Sequence, residues 1–263
     1  MKKLIIICMG VFLVMWGLSA DVMASGKNHG KKVKIGDILR SNVKAQDDQQ
    51  DSEDDIEIGM QVDKIESSSD EFYDIQFYLE GDTLKDAKKV QIKIPTGKKI
   101  ELKNTVGLNS LDFEAFDLDS VDLEERFPEG KYNITLVPKK FGGATFDVIY
   151  DFPPTPVVTS PEADAADVPL ALTVEWESLA DEDIDGFLLI LETNDNSADG
   201  FELVKLLTAD ATSFSIPEGL LQSDTEYELD VMAYKAFDEN AYLTSVRYIN
   251  FKTETLLETL LLQ

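Results

Sequence analysis

From residue 58 onward, apolar residues alternate with polar ones in short runs separated by turn residues. A period of two is what a half-buried β-strand requires. MQVDKIE, FYDIQFYLE, KKVQIKIP and KKIELKN follow one another, with Gly81–Asp82 and Thr96–Gly97 as the turns between them. FPEGKYNITLVP and ATFDVIYDFP read as two further strands, while LDFEAFDLDSVDLEERF at 111–127 mixes two periods and accommodates a short helix. Strands with one apolar face must bury it against another layer, so residues 58–152 are expected to form a sandwich-like β domain. DFPPTPVVTSP at 151–161 follows. Its prolines stiffen an extended segment and suit strand edges or linkers, so a second domain is expected from 153.

What precedes residue 58 has a different character. Lys2 and Lys3 lead into an apolar run from Leu4 to Leu18, and Val22 and Ala24 supply small residues ahead of Ser25. This is the pattern of a secretory signal peptide of bacterial type over 1–24, cleaved after Ala24, with Ala20 as the alternative. The run is short for a membrane span, so no stable membrane insertion is expected once it is removed. Residues 25–57 pass from basic SGKNHGKKVKIGD to acidic QDDQQDSEDDIE and are expected to be a flexible charged arm. An apolar tail, 255–263, closes the chain.

Composition narrows the chemistry. The one cysteine, Cys8, leaves with the signal peptide, and the one histidine, His29, lies in the arm. The folded part therefore has no disulfide, no thiolate or Ser-His-Asp nucleophile and no His- or Cys-based zinc site. A net charge of −27 repels nucleic acid and anionic headgroups. Paired carboxylates are guaranteed by so many acidic residues, and no catalytic residues are assigned.

The second half carries a resemblance. LALTVEWE at 170–177 places Leu170, Leu172, Val174 and Trp176 on one face, and GFLLILE, FELVKLL and TSFSIP follow as strands. In LLQSDTEYELDVMAY at 220–234, Leu221, Thr225 and Tyr227 form an L-x-x-x-T-x-Y pattern, and SVRYINFKT reads as a closing strand. With TPVVTSPEAD as its first strand and turn, the stretch 153–254 resembles a fibronectin type III domain, an immunoglobulin-like sandwich. The resemblance implies that Trp176 is core and that Tyr227 is a tyrosine corner whose hydroxyl bonds the nearby backbone. Tyr132, placed similarly in FPEGKYNITL, makes a related first sandwich the expectation. The fold class is thus all-β, with two tandem sandwich-like domains. The resemblance implies little about activity, because such folds host many binding roles.

DEDIDGFLLILE at 181–192 matches the spacing of an EF-hand loop. An EF-hand needs a helix on either side, whereas FLLIL has two apolar faces of a strand. A strand rising about 3.3 Å per residue would carry Glu192 roughly 20 Å from Gly186, too far to close a coordination sphere. Asp185–Gly186 is therefore read as a turn, with a loop-only calcium site at Asp181, Asp183 and Asp185 kept as the alternative. TNDNSADG at 193–200 reads as a hydrophilic turn, and Asp117, Asp119 and Asp122 as a solvated face. Tyr73, Phe77, Tyr234 and Tyr242 are expected to pack in core or edge rather than form a sugar platform. No cofactor is expected apart from that calcium alternative. The function expected is non-catalytic binding or spacing by a secreted or periplasmic protein, its partner a protein or polysaccharide at the cell exterior. The alternatives are a calcium-dependent adhesion module and a carbohydrate-binding or carbohydrate-active protein.

Overall fold

The alternating runs become strands of two sandwiches with the same internal order. The computed structural model describes Ile38 and residues 56–67, 70–179, 182–193 and 202–255. The expected signal peptide with its cleavage site, nearly all of the expected arm, Asp181, most of the 193–200 loop and residues 256–263 lie outside the described residues.

In the first sandwich, β1 (Glu57–Glu66), β2 (Glu71–Glu80) and β5 (Ser110–Leu118) form one layer. The other layer runs β4 (Lys99–Lys103), β3 (Lys89–Lys93), β6 (Gly130–Val137) and β7 (Gly143–Val148). Their inward residues, Met60, Val62, Ile75, Phe77, Val90, Ile92, Tyr132 and Ile134 among them, make one core. The short helix expected within 111–127 is α1 (Ser120–Arg126). Asp119 starts it as N-cap, its carboxylate accepting from the Asp122 N–H at 2.7 Å. One member of the acidic cluster thus has a local structural task.

The second sandwich repeats the order. β8 (Val158–Ser160), β10 (Thr173–Trp176) and β13 (Ser213–Ser215) form a three-stranded layer. It packs on β12 (Glu202–Thr208), β11 (Gly186–Thr193), β14 (Glu226–Asp238) and β15 (Ala241–Thr253). A short β9 (Ala165–Val168) pairs in parallel with β15. Trp176 is core as expected, 3 % exposed and tilted against Phe187 with ring centroids 5.3 Å apart. Tyr73, Phe77, Tyr234 and Tyr242 are all buried.

Both tyrosine corners are present. Tyr227 is fully buried, stacks on Phe251, and its hydroxyl accepts from the Gln222 N–H at 2.8 Å. Leu221 is buried beside it. The Tyr132 hydroxyl donates to the Pro128 carbonyl at 2.8 Å. Tyr227→Phe keeps the ring but leaves the Gln222 N–H without this acceptor. It is expected to cost about 0.5–1.5 kcal/mol, rising toward 3 if that N–H stays dry, while Tyr227→Ala costs more because the packing goes too. Urea denaturation of the two variants checks the order.

A prolyl segment is not all that joins the sandwiches. β14 and β15 are 13 residues each, far longer than the other strands of their sandwich, and they run past it into the first. There β15 pairs in parallel with β1, from Met60 opposite Ala241 to Glu66 opposite Arg247. One strand therefore feeds two cores: Ala241 and Leu243 pack in the first, Ile249 and Phe251 in the second. The result is one sheet in the order β12-β11-β14-β15-β1-β2-β5.

Candidate functional site

One concave feature among the described residues lies at this junction. It is an open cleft of about 590 Å³ whose walls include Lys64, Glu66, Tyr73, Tyr150, Phe152 and Arg247. β1 supplies Lys64 and Glu66, β15 supplies Arg247, and the prolyl segment forms the rim. Tyr150 and Phe152 stack at 5.6 Å, and the Tyr150 hydroxyl donates to the Phe127 carbonyl. Burial pushes the Tyr150 phenol well above its ordinary range, so it stays protonated and is no base.

The charges in the cleft are committed to one another. Glu66 accepts from Lys64 at 2.8 Å, from Arg247 at 3.0 Å and from the Thr155 hydroxyl at 2.7 Å. Lys64 also reaches Glu71 at 3.1 Å, and Arg247 donates to the Pro156 carbonyl at 3.4 Å. Burial works to raise the Glu66 carboxyl, but the hydrogen bonds from Lys64 and Thr155, with the two nearby cations, win and hold it below its usual value. Burial likewise opposes the charge on Lys64, and its bonds to Glu66 and Glu71 outweigh that and raise it. The arrangement ties the prolyl segment and both sandwiches together.

Two consequences are measurable. Glu66→Ala takes the carboxylate from Arg247 and leaves Lys64 with Glu71 alone, and is expected to cost about 1–3 kcal/mol. A carboxyl held low in the fold contributes stability that is present above its unfolded pKa and lost as pH falls through its folded one. The wild type should therefore lose this increment on acidification below the ordinary carboxylate range, and the gap to Glu66→Ala should close. A gap constant from neutral to acid pH contradicts the role.

The described part of the acidic loop is engaged in contacts within the protein. Gly186 through Glu192 is strand β11, with Glu192 opposite Glu202 and Glu228, so the EF-hand spacing is not an EF-hand. Asp183 pairs with Lys235 at 2.7 Å, and the same ammonium reaches Asp151 at 2.8 Å. Asp185 accepts from the Ala236 N–H at 2.7 Å. The structure thus places Asp183 and Asp185 near each other on separate tasks, and a lysine already supplies the positive charge. Among the described residues no group of three or more His, Cys, Asp or Glu side chains is set to hold a metal. Calorimetry with calcium at physiological ionic strength is expected to show no saturable binding tighter than about 10⁻⁴ M. A micromolar site lost in Asp183→Asn would refute this.

Sequence reasoning missed the cleft, since its residues come from positions spread between 64 and 247 and share no motif. No protein-family model and no curated protein matches the chain. Among solved structures, a two-domain fibronectin type III segment of chicken tenascin is 15 % identical with a TM-score of 0.24, covering 73 % of this chain and 96 % of that one. The FN1–FN3 domains of chicken CNTN1 are 15 % identical with a TM-score of 0.31, covering 76 % and 66 %. A computationally redesigned β-sandwich protein is 21 % identical with a TM-score of 0.28, covering 41 % and 100 %. The fold is fibronectin type III-like. Within the chain, that assignment stands on the repeated strand order and on the tyrosine corner of the second sandwich.

Proposed function

We propose that the chain is a non-catalytic binding and spacing protein that works outside the cell or in the periplasm, after removal of its signal peptide behind Ala24. Its partner is a protein or a polysaccharide at the cell exterior. The observation that supports this reading most is the parallel β1–β15 ladder. A hydrogen-bonded ladder and a strand shared by two cores fix the distance and angle between the sandwiches, which is what a spacer needs and a flexible tether lacks. The cleft charges add a second tie across the same junction. Among the described residues no helix is long and apolar enough to cross a membrane.

Loss of Cys8 with the signal peptide makes the test clean. Spin labels at Lys99→Cys and Glu175→Cys, exposed positions in the two sandwiches, report their separation by pulsed dipolar spectroscopy. One narrow distance distribution is expected. A broad or multimodal one would show independent domains and overturn the spacer reading.

A further inference from the structure

The large sheet has a second face, turned away from both cores, and it is buried. Leu188, Ile190, Met232, Tyr234, Tyr242 and Val246 form an apolar cluster there, each between 0 and 9 % exposed. Strand β11 is therefore apolar on both sides: Phe187, Leu189 and Leu191 point into the second core while Leu188 and Ile190 point out. The cluster continues across the junction to Ile65 of β1. Beyond it the same face turns polar but stays buried. Gln61, Asp63, Asp74 and Gln76 are 1–4 % exposed. Asp63 stands directly opposite Asp74 on the neighbouring strand and binds Thr244 of β15 at 2.6 Å.

A sheet face cannot bury itself, so something lies on it. Among the described residues, Ile38 is the one that packs against the apolar cluster without belonging to a strand, and its backbone is helical. Around it the sequence reads KKVKIGDILRSNVK. Ile35, Ile38, Leu39 and Val43 recur at the i, i+3, i+4, i+8 spacing of one helix face. Lys31, Lys32, Lys34, Arg40 and Lys44 make the segment basic in an otherwise acidic chain. Asp63 accepts from the Gln61 amide and Asp74 from the Asp117 N–H, but like charges directly opposite on paired strands still repel, so a cation brought near them is favourable. The segment brings the apolar stripe that the cluster needs and a positive charge complementary to the acidic Asp63–Asp74 side of the same face.

We propose that residues 31–44 of the same chain dock over the outer face of the continuous sheet, across the junction, with Ile38 seated in the Leu188–Met232–Val246 cluster. The basic arm is then a clasp that belongs to the fold of the mature protein.

Limited trypsin digestion of the full mature chain, read by mass spectrometry, tests this. Cleavage after Arg40 and Lys44 is expected to be at least tenfold slower than after Lys27, at any protein concentration. Ile38→Glu, a change in the segment alone, should bring Arg40 cleavage up to the Lys27 rate while Trp176 fluorescence stays that of the folded chain. Met232→Lys should do the same from the sheet side. Arg40 cut as fast as Lys27 in the unaltered chain overturns the proposal, as does protection that survives Ile38→Glu. Protection that disappears on dilution, with a matching fall in mass by sedimentation, also overturns it and assigns the face to a second copy.

Discussion

Trp176→Ala is expected to remove about 3–5 kcal/mol from the stability of the second sandwich. The indole sits on β10, is 3 % exposed and meets Phe187 across the gap between layers. Truncation leaves a cavity lined by residues held on two hydrogen-bonded sheets, which cannot close around it. The indole N–H is itself buried and, among the described residues, without a hydrogen-bond partner. Trp176→Phe should therefore cost much less, because the smaller ring gives up some packing but also removes an unpaired donor. Guanidinium denaturation of both variants checks the pair. A loss below about 1 kcal/mol for Trp176→Ala would mean that the site collapses, and would put the core assignment in doubt.

Trp176 was legible because its cause is local. Leu172, Val174 and Trp176 alternate, and alternation alone selects a face. The same holds for Tyr227, whose partner Gln222 is five residues upstream, and for Tyr132, whose partner is four residues away. The helix at Ser120–Arg126 announced itself through a change of period, whereas the capping role of Asp119 showed only in the structure. The junction did not. Parallel pairing of β1 with β15 joins residues as far apart in sequence as Asp63 and Thr244, 181 positions, and leaves no periodic mark on either. Its one trace is length: alternation runs on through YELDVMAYKAF and AYLTSVRYINFKT well past what a single sandwich needs. The charged cleft was hidden for the same reason, since Glu66, Thr155 and Arg247 meet only when the two sandwiches do. FLLIL did carry a sign, for apolar residues on two faces of one strand demand two covers, and one of them lies outside the sandwich.

The other large effect concerns Gly59. It stands on β1 opposite Tyr78 of β2, and the Tyr78 ring occupies the space beside it. A Cβ built at Gly59 would come 2.0 Å from the ring carbon Cζ and 2.3 Å from the hydroxyl. Tyr78 is 1 % exposed, and its hydroxyl donates to the Asn240 carbonyl at 3.3 Å, at the tip of the β14–β15 hairpin. The Met60 N–H donates to the same carbonyl at 3.0 Å. A side chain at 59 therefore displaces the ring that covers the strand and strikes the hairpin tip docked on it. Overpacking of a filled site costs roughly 1–3 kcal/mol and more when the neighbour has nowhere to go. Gly59→Val is expected at or above the top of that range, with broadening of the inter-sandwich distance distribution. Tyr78→Ala empties the space that the new side chain needs. The double variant should then be more stable than the sum of the two single losses by about 0.5–3 kcal/mol, the coupling expected of residues in contact. Strict additivity in that cycle would show that Tyr78 does not cover Gly59, and the account of how the hairpin seats on β1 would fail with it.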